Sequence, residues 1–290
     1  MPSNPHSWSL LNRLCSFIMP IPLPARLYKY CHPKDAVILE SERIAYTPPE
    51  RFNDPFDFAP AVDLTNDEES RRKEWNRFSS ETPGVQVPSC DEYISHIQTN
   101  ATELEKGDAE ALTRAYNDTF GLFCLSSNPS DCAISGPLMW SHYADSHRGF
   151  VIEFDAGHEF FMKRYKDSRL QKVKYTSDRP FLKQPADLQN ILPAKASCWE
   201  YENEWRCLEK FTLCEPPILS DTGDCIYLHP FPKESILKVS CGCRMNSELF
   251  KYLQINLPKW GYQCSLEKMA MHPKAYRLLP EPSYTSDLTV

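Results

Sequence analysis

The sequence predicts an α+β fold built around a mixed, largely antiparallel sheet. The chain has 290 residues, of which 41% are hydrophobic and 12% aromatic, which is enough to bury the core of one sizeable domain. Strand-like segments follow one another from Phe120 onwards without regular crossover helices, which disfavours a doubly wound parallel sheet. Glycine is scarce, at 9 residues, and neither G-x-G-x-x-G nor G-x-x-x-x-G-K-S/T occurs, which argues against a glycine-rich phosphate-binding fold.

The chain is expected to begin with a flexible lead over residues 1–25 and to continue as a single domain over residues 26–290. Met19, which is followed by Pro-Ile-Pro-Leu-Pro, is a candidate for the biological start. The first predicted elements are a strand at Leu27–Cys31, a helix at Pro33–Glu42 and a strand at Arg43–Thr47.

A helical insertion is predicted over residues 65–118, between the second and third strands. Its first part, residues 65–84, is strongly polar and lacks a sustained apolar stripe, which is typical of a solvated helix or a mobile loop. Its second part, Asp91–Tyr116, has apolar residues at helical spacing, interrupted by Gly107.

The C-terminal half is predicted to supply most of the sheet. Short runs rich in β-branched and aromatic residues, bounded by turn residues, indicate strands. The predicted strands are Phe120–Leu125, Gly149–Asp155, Gln171–Tyr175, Glu204–Leu213, Cys225–Leu228, Ile236–Cys241 and Gln263–Met269, and a helix at Asn246–Ile255 precedes the last of them.

Charge and cysteine content restrict the partners and the compartment. The net charge of −7 offers no global attraction to nucleic acid or to an anionic membrane. No run of about 18 apolar residues occurs, so no membrane span is predicted. The 12 cysteines are scattered, several of them within apolar runs, which indicates free thiols in a reducing, cytoplasmic compartment. No Cys or His spacing typical of zinc occurs, so no metal is predicted.

Three polar segments interrupt the apolar pattern, and the sequence predicts that they form one site. The first, Arg51–Asp57, contains Asn-Asp-Pro, a turn signal because Asx side chains bond their own backbone and the residue before proline avoids the helical region. It is either a tight turn packed by its two phenylalanines or a turn that directs Asn53, Asp54 and Asp57 into a cleft.

The second polar segment is Trp140–His147. On a short helix, His142 and Asp145 are three residues apart and Tyr143 and His147 are four apart, so each pair is expected to share a face. The apolar residues of the segment suit a helix packed on the core. His142 and Tyr143 suit a core less well and are candidate site residues.

The third polar segment is Glu202–Arg206. If this stretch is extended, Glu202, Glu204 and Arg206 project from one face, while Trp205 and the alternating residues after it face the core. Charged groups in line beside a buried strand are costly without partners. They are therefore either a surface ladder of salt bridges or a site in which Arg206 holds one glutamate and a ligand uses the other.

These segments resemble a widespread bacterial family of domains of unknown function. The likeness covers roughly residues 26 to 243 and follows the order of the family's motifs. The motifs are Leu27-Tyr-Lys-Tyr30, Phe52-Asn-Asp-Pro-Phe-Asp57, Met139-Trp-Ser-His-Tyr-Ala144 and Tyr201-Glu-x-Glu-Trp-Arg206.

The sequence also resembles, more distantly, the ADP-ribosyltransferases, which bind NAD in a split sheet. In this resemblance Arg26 or the strand Tyr28–Tyr30 corresponds to the first-strand motif, and Glu202-Asn-Glu204 corresponds to the late acidic motif. That family's Ser-Thr-Ser motif and first-strand histidine do not occur here. Bacterial members often act as toxins or in phage defence by modifying nucleic acid or protein. The resemblance implies the same kind of activity, with a macromolecular acceptor and an antitoxin-like regulator.

The likeness to ADP-ribosyltransferases implies a role for each candidate residue. Glu204 is expected to stabilise the positive charge that develops on the ribose, and Glu202 to position or activate the acceptor. Arg206 is expected to hold a glutamate in its charged form. NAD, as the substrate, is expected to contact the remaining candidates, which are Arg26, Tyr28, Lys29, Tyr30, Asn53, Asp54, His142 and Tyr143.

Two other functions are open at this level. In a metal-dependent nuclease or phosphodiesterase, Lys29 or His142 would assist a Mg²⁺ ion held by four carboxylates, namely Asp54, Asp57, Glu202 and Glu204. In a non-catalytic binding module, the same aromatic and acidic residues would form the binding surface.

Overall fold

The structure is a computed structural model that describes residues 21–59, 61–62, 68–81, 88–127, 136–182, 191–220 and 223–281. Most of the predicted lead, including Met19, lies outside the described residues. The sequence predicts a single domain over residues 26–290, whereas the contacts within the chain divide it into two compact units. Each unit is described separately. The insertion unit comprises the described residues of 48–119 and 174–197, and the sheet unit those of 21–47, 120–173 and 198–281.

The fold is α+β with a mixed, largely antiparallel sheet, as the sequence predicts. The strands are β1 (Arg26–Cys31), β2 (Arg43–Tyr46), β3 (Ala61–Val62), β4 (Phe120–Ser126), β5 (Phe150–Asp155), β6 (Leu170–Lys172), β7 (Lys174–Thr176), β8 (Phe181–Leu182), β9 (Ala194–Ala196), β10 (Glu204–Lys210), β11 (Ile218–Leu219), β12 (Cys225–Pro230), β13 (Ile236–Cys241), β14 (Ser265–Met271) and β15 (Leu278–Pro280). The α-helices are α1 (Val37–Ser41), α2 (Glu68–Glu81), α3 (Cys90–Asn117), α4 (Pro137–Tyr143), α5 (Glu159–Lys166) and α6 (Ser247–Lys259). Among the described residues, no helix combines the length and the hydrophobicity needed to cross a bilayer.

The sheet unit contains an eight-stranded sheet in the order β15-β14-β13-β5-β1-β4-β10-β6. Neighbouring strands are antiparallel except β13 and β14, which are parallel. Strands β4 and β10 pair along their whole length, from Glu204 opposite Ser126 to Lys210 opposite Phe120. Strand β1 pairs along its length with β5, and it meets β4 at Tyr28 opposite Ser126. This register places the start of β10 level with the middle of β1, with the end of β4 between them.

Hydrophobic clusters lie on both faces of this sheet because side chains of a strand alternate between its faces. The larger cluster includes Leu27, Phe123 and Trp205. The smaller cluster includes Tyr30 and Trp140, so helix α4 covers part of the opposite face. The remainder of that second face carries polar residues, and the candidate site lies there.

Most element boundaries agree with the sequence predictions to within a few residues, and two of the differences have a visible reason. The predicted strand Glu204–Leu213 ends at Lys210 because Phe211–Leu213 form a 3₁₀ turn. The predicted strand Gln171–Tyr175 divides at Val173, since β6 pairs with β10 whereas β7 pairs with β9.

The described residues within the predicted helical insertion form α2 and α3, and the same unit also contains the short strand pairs β3–β8 and β7–β9. Helix α3 begins with a capping box, in which Ser89 Oγ accepts from Glu92 N at 3.2 Å and the Glu92 carboxylate accepts from Ser89 N at 2.7 Å. The predicted interruption at Gly107 is wrong, because α3 is continuous from Cys90 to Asn117. A single glycine costs a helix only about 1 kcal/mol, which the remaining turns of a long helix offset.

Candidate functional site

The centre of the site is a buried ion pair on β10. Arg206 Nε donates to Glu204 Oε1 at 2.9 Å, and Arg206 Nη2 donates to Glu204 Oε2 at 3.1 Å. The side chains are 3% and 6% exposed, so the predicted alternative of a surface ladder is wrong for this pair. The bidentate geometry fixes the plane of the carboxylate. Burial, and next the charge of Glu204, raise the pKa of the neighbouring Cys124 thiol, which therefore stays protonated near neutral pH.

Glu202 lies beside this pair but not on the strand. It ends the 3₁₀ helix Ser197–Glu202, and Asn203 then adopts a left-handed backbone with φ of 46°. The predicted extended run of Glu202, Glu204 and Arg206 is therefore wrong at its first residue, because a left-handed residue cannot continue a strand. Glu202 is nevertheless buried, and one of its carboxylate oxygens accepts a hydrogen bond from the Tyr143 hydroxyl.

Two serines at the end of β4 hold this turn in place. Ser126 Oγ donates to the Glu202 carbonyl at 2.5 Å, and Ser127 N donates to the Asn203 carbonyl at 2.8 Å. The indole Nε1 of Trp205 donates to Ser127 Oγ at 2.9 Å. Sequence reasoning missed both serines. The available signal was a Ser-Ser pair directly after the apolar run of a predicted strand.

The second polar segment is helical only up to Tyr143 and not over the whole length that the sequence predicts. Helix α4 ends at Tyr143, and Asp145, Ser146 and His147 then have φ values of 46°, 52° and 70°. The predicted shared faces, His142 with Asp145 and Tyr143 with His147, are therefore wrong. Two amides, those of residues 144 and 147, donate to the carbonyl of residue 140, at 3.3 and 3.2 Å. This bonding closes the helix and reverses the chain before β5.

His147 is held by the fold on the outer side of this turn. Its ring stacks on Trp140 with centroids 6.1 Å apart and planes at 7°. Its Nε2 lies 3.3 Å from Ser141 Oγ, and its buried Nδ1 has no hydrogen-bond partner among the described residues. Burial, and next the charge of Arg244, lower the pKa of His147. The geometry is that of a structural histidine.

An aromatic group lies next to Glu202 in the chain, and two of its members were not among the candidate site residues predicted from the sequence. We term His142, Trp199 and Tyr201 the aromatic rim. Their ring centroids lie 6.4 Å (His142–Trp199), 6.4 Å (His142–Tyr201) and 6.1 Å (Trp199–Tyr201) apart. Tyr143, which bonds Glu202, lies 6.2 Å from the His142 ring. The sequence offered one signal that Trp199 and Tyr201 belong to the site: they lie three residues and one residue before Glu202.

The candidate residues on β1 divide between the two faces of the sheet. Tyr28 lies opposite Ser126, which lies opposite Glu204, so all three share a face. Tyr30 is on the same face but is buried edge-to-face against Trp140, at 5.7 Å between centroids, and burial raises its pKa. By alternation, Lys29 lies on the other face.

The two basic candidates at this end of the sheet are engaged elsewhere. The Lys29 ammonium donates to the Cys124 carbonyl at 3.3 Å and lies 5.3 Å from the centre of the Phe123 ring. Arg26 Nε lies 3.2 Å from Glu153 Oε1 at the exposed end of β1. Among the β1 candidates, Tyr28 is therefore the one in register with Glu204 across β4, and it is half-buried and packs against the smaller hydrophobic cluster.

The first polar segment lies in the insertion unit. Asp54 Oδ1 accepts from Phe56 N at 2.9 Å, which is the predicted Asx turn. The Asp57 carboxylate lies 3.8 Å from the Lys195 ammonium, and both side chains are buried. Asn53 is exposed. A role of Asn53, Asp54 and Asp57 beside the other two segments stays a prediction.

The described part of the chain contains no group of three or more His, Cys, Asp or Glu side chains arranged to hold a metal ion. Within the sheet unit, the Glu202 carboxylate accepts from Tyr143 and the Glu204 carboxylate pairs with Arg206. Neither of these arrangements is a cluster of oxygen ligands of the kind that Mg²⁺ requires.

One protein-family model matches the chain. Its description is "Protein of unknown function (DUF2971)", and it matches residues 139–207. This supports the predicted resemblance to a family of unknown function. The matched span begins in α4 and ends within β10, and so contains the rim, Tyr143, Glu202, Glu204 and Arg206. No curated protein and no solved structure matches the chain.

The arrangement is suited to stabilising positive charge next to a flat ring. Two carboxylates two residues apart are fixed by different partners, Tyr143 and Arg206, so they need not reorient during a reaction. Fixed groups aimed at a developing charge, in a place from which water is excluded, are an effective means of stabilising a transition state. Two members of the aromatic rim, His142 and Tyr201, are exposed, and Tyr201 directly precedes Glu202.

Proposed function

We propose that the chain is a NAD-dependent ADP-ribosyltransferase, with NAD as its substrate and a protein or nucleic acid as the acceptor. The observation that carries this proposal is the buried Glu204 carboxylate, held by two hydrogen bonds from Arg206 on the polar face of the sheet. In the proposed setting the enzyme is a cytoplasmic toxin or phage-defence effector with an antitoxin-like regulator.

The reaction breaks the bond between the ribose C1′ and the nicotinamide nitrogen. Nicotinamide leaves with the bonding electron pair and becomes neutral, while positive charge develops at C1′. Glu204 stabilises that charge, in the same way as the carboxylates of glycosidases do. A nucleophile of the acceptor then bonds to C1′ and gives its proton to the Glu202 carboxylate. Atoms and charge balance without a metal ion.

The surroundings of the two glutamates support this division of roles. Arg206 fixes the orientation of Glu204. The other glutamate of β10, Glu209, faces the opposite side of the strand and pairs with Arg169. The Tyr143 hydroxyl donates to one oxygen of Glu202, and an ionised carboxylate can take up a proton from the nucleophile of the acceptor. Tyr28 lies on the same face and offers a ring for contact with the nucleotide.

The test is transfer of label from NAD to macromolecules in a cell lysate. The wild type, Glu204→Gln and Glu200→Gln are compared, with and without a chelator. The matched control is Glu200, an exposed glutamate of the 3₁₀ helix Ser197–Glu202 that precedes β10. We expect Glu204→Gln to lower transfer by about 10²–10³, Glu200→Gln to be fully active, and the chelator to have no effect.

Nuclease or protease digestion of the labelled product then identifies the acceptor class. Circular dichroism establishes that Glu204→Gln is folded. Full activity of folded Glu204→Gln contradicts the mechanism. If the wild type neither transfers label nor releases nicotinamide, the proposal is wrong, and nucleic-acid cleavage that a chelator abolishes would replace it.

A further inference from the structure

Two turns at one end of the eight-stranded sheet carry positive charge without any acidic residue of their own. Strands β13 and β14 are parallel neighbours, so the turns that follow them, residues 242–246 and 272–277, leave the sheet at the same end. We term these two segments the basic turns. The first contains Arg244 and the second contains Lys274 and Arg277, and neither contains Asp or Glu. They therefore form a local concentration of positive charge in a chain whose net charge is −7.

The arginines of the basic turns differ from the others in the described part of the sheet unit. That part contains eight arginines, and six of them pair with a carboxylate at 2.6–3.7 Å; these are Arg26, Arg43, Arg148, Arg164, Arg169 and Arg206. The other two, Arg244 and Arg277, are exposed and form no ion pair with a described residue. A guanidinium is always charged and matches the geometry of phosphate, so both arginines are available to an anionic partner.

The smaller hydrophobic cluster brings the basic turns together. Cys243, which precedes Arg244, packs against this cluster. Leu278, which follows Arg277, is one of its buried members. Tyr143 of the candidate site packs against the same cluster. The basic turns and the candidate site therefore border one cluster within the sheet unit.

The second basic turn also presents an aromatic ring to solvent. Tyr276 is 100% exposed, so its ring contributes no packing to the fold. Backbone hydrogen bonds hold the turn that carries it: His272 N donates to the Arg277 carbonyl at 2.9 Å, and Arg277 N donates to the Ala275 carbonyl at 2.8 Å. A ring on a turn that is already ordered loses little conformational entropy when it contacts a partner.

We propose that the basic turns form a contact surface for single-stranded nucleic acid. Arg244, Lys274 and Arg277 neutralise phosphates, and a base stacks on the ring of Tyr276. A single strand suits both contacts, because each nucleotide offers an anionic phosphate and a flat base that is free to stack. A duplex keeps its bases stacked on one another, and an anionic membrane would require a larger apolar surface than one tyrosine supplies.

This binding goes beyond the proposed function, because it needs neither NAD nor catalysis. It also has a consequence that rests on the proposed function. In an ADP-ribosyltransferase, a strand held at the basic turns would make nucleic acid, and not protein, the class of the acceptor.

The test is fluorescence anisotropy of the full chain with labelled single strands of about 12 nucleotides, as RNA and as DNA, over a range of salt concentrations. A duplex of the same sequence, polyglutamate and vesicles that contain phosphatidylserine are the competing partners. The variants are Arg244→Gln, Arg277→Gln, Tyr276→Leu and Tyr276→Phe. Two substitutions on exposed residues of α6, Tyr252→Leu and Lys259→Gln, are the matched controls.

We expect the logarithm of the association constant to fall against the logarithm of the salt concentration with a slope of about −2, for three phosphate contacts. Arg244→Gln and Arg277→Gln should each reduce the size of that slope by about 0.7. Tyr276→Leu should weaken binding by about 5- to 150-fold and leave the slope unchanged. Tyr276→Phe, Tyr252→Leu and Lys259→Gln should behave as the wild type.

Absence of binding to both single strands would overturn the proposal, as would equal binding of the duplex, of polyglutamate or of the vesicles. Equal losses in Tyr276→Leu and Tyr252→Leu would overturn it as well. Strand binding in a protein that transfers no ADP-ribose would disprove the proposed function alone. Transfer of ADP-ribose to protein, without strand binding, would disprove the contact surface alone.

Discussion

Removal of the Arg206 guanidinium is expected to be among the most destabilising single changes in the sheet unit. The replacement Arg206→Met keeps a long side chain but leaves Glu204 without its bidentate partner. Both side chains are less than a tenth exposed, at 3% and 6%. Loss of one member of a buried ion pair costs about 3–5 kcal/mol, because the other charge stays in the interior. That loss is a large share of a typical domain stability of about 5–15 kcal/mol.

The double variant Glu204→Leu/Arg206→Met isolates the cause. It removes both charges and fills the site with apolar side chains of similar size. Replacing a whole buried pair in this way is often neutral or even stabilising. We therefore expect the double variant to be more stable than Arg206→Met alone, although it carries one more substitution.

The assay is urea-induced unfolding followed by tryptophan fluorescence, for which Trp205 is a neighbouring probe. The midpoint and the slope are compared among variants, and an unchanged slope shows that stability itself has changed. Arg26→Met is the matched control: Arg26 pairs with Glu153 at 3.2 Å, but its side chain is 45% exposed, so its loss should cost at most about 1 kcal/mol. A cost for Arg206→Met as small as that of Arg26→Met would refute the reasoning.

Two further predictions concern residues of the turn that follows helix α4, Gly149 and His147. Gly149→Ala should lower stability by about 1–3 kcal/mol or more, because a Cβ at Gly149 would lie 1.9 Å from the Cys31 carbonyl oxygen. The control is Gly107→Ala in α3, where a Cβ would meet nothing within 4 Å, and which should stabilise its unit by about 0.5–1 kcal/mol. Equal thermal midpoints for the two variants would contradict this prediction. The pKa of His147 is lowered by burial and by Arg244, so below about pH 6.5 the unfolded chain binds more protons and stability falls as the pH drops towards the folded-state pKa. Urea unfolding at about pH 7.5, 6.5 and 5.5 should show a smaller pH dependence for His147→Gln than for the wild type or for the exposed control His142→Gln; identical slopes in all three would rule out His147 as the source.

Much of the fold could be predicted because its signals are local. On β10, apolar residues (Trp205 and Cys207) alternate with charged ones (Glu204 and Arg206). This pattern correctly predicts which side of the strand faces the core. The Asx turn at Asp54 follows from residue chemistry, since a side chain bonds a backbone group two residues away. These features need no knowledge of distant neighbours.

The errors occur where a backbone leaves the regular regions. The three consecutive left-handed residues Asp145–His147 and the left-handed Asn203 carry a weaker local signal than glycine would, because Asp, Asn and His adopt such angles more readily than other residues but most often do not. Tertiary contacts hold them instead: the carbonyl of His147 accepts from Arg244 N at 3.0 Å, and that of Asn203 accepts from Ser127 N at 2.8 Å. These partners are far away in the sequence.

The sequence by itself determined which residue types the site contains, which strand carries Glu204 and Arg206, and the α+β class. Only the tertiary structure decided that Tyr143 bonds Glu202 across 59 residues of chain, that Tyr28 and Glu204 both lie opposite Ser126, and that Trp199 and Tyr201 join His142. The physical reason is that periodicity assigns a side chain to a face, whereas strand order and register assign its neighbours. Strand order and register depend in turn on the packing of the whole unit.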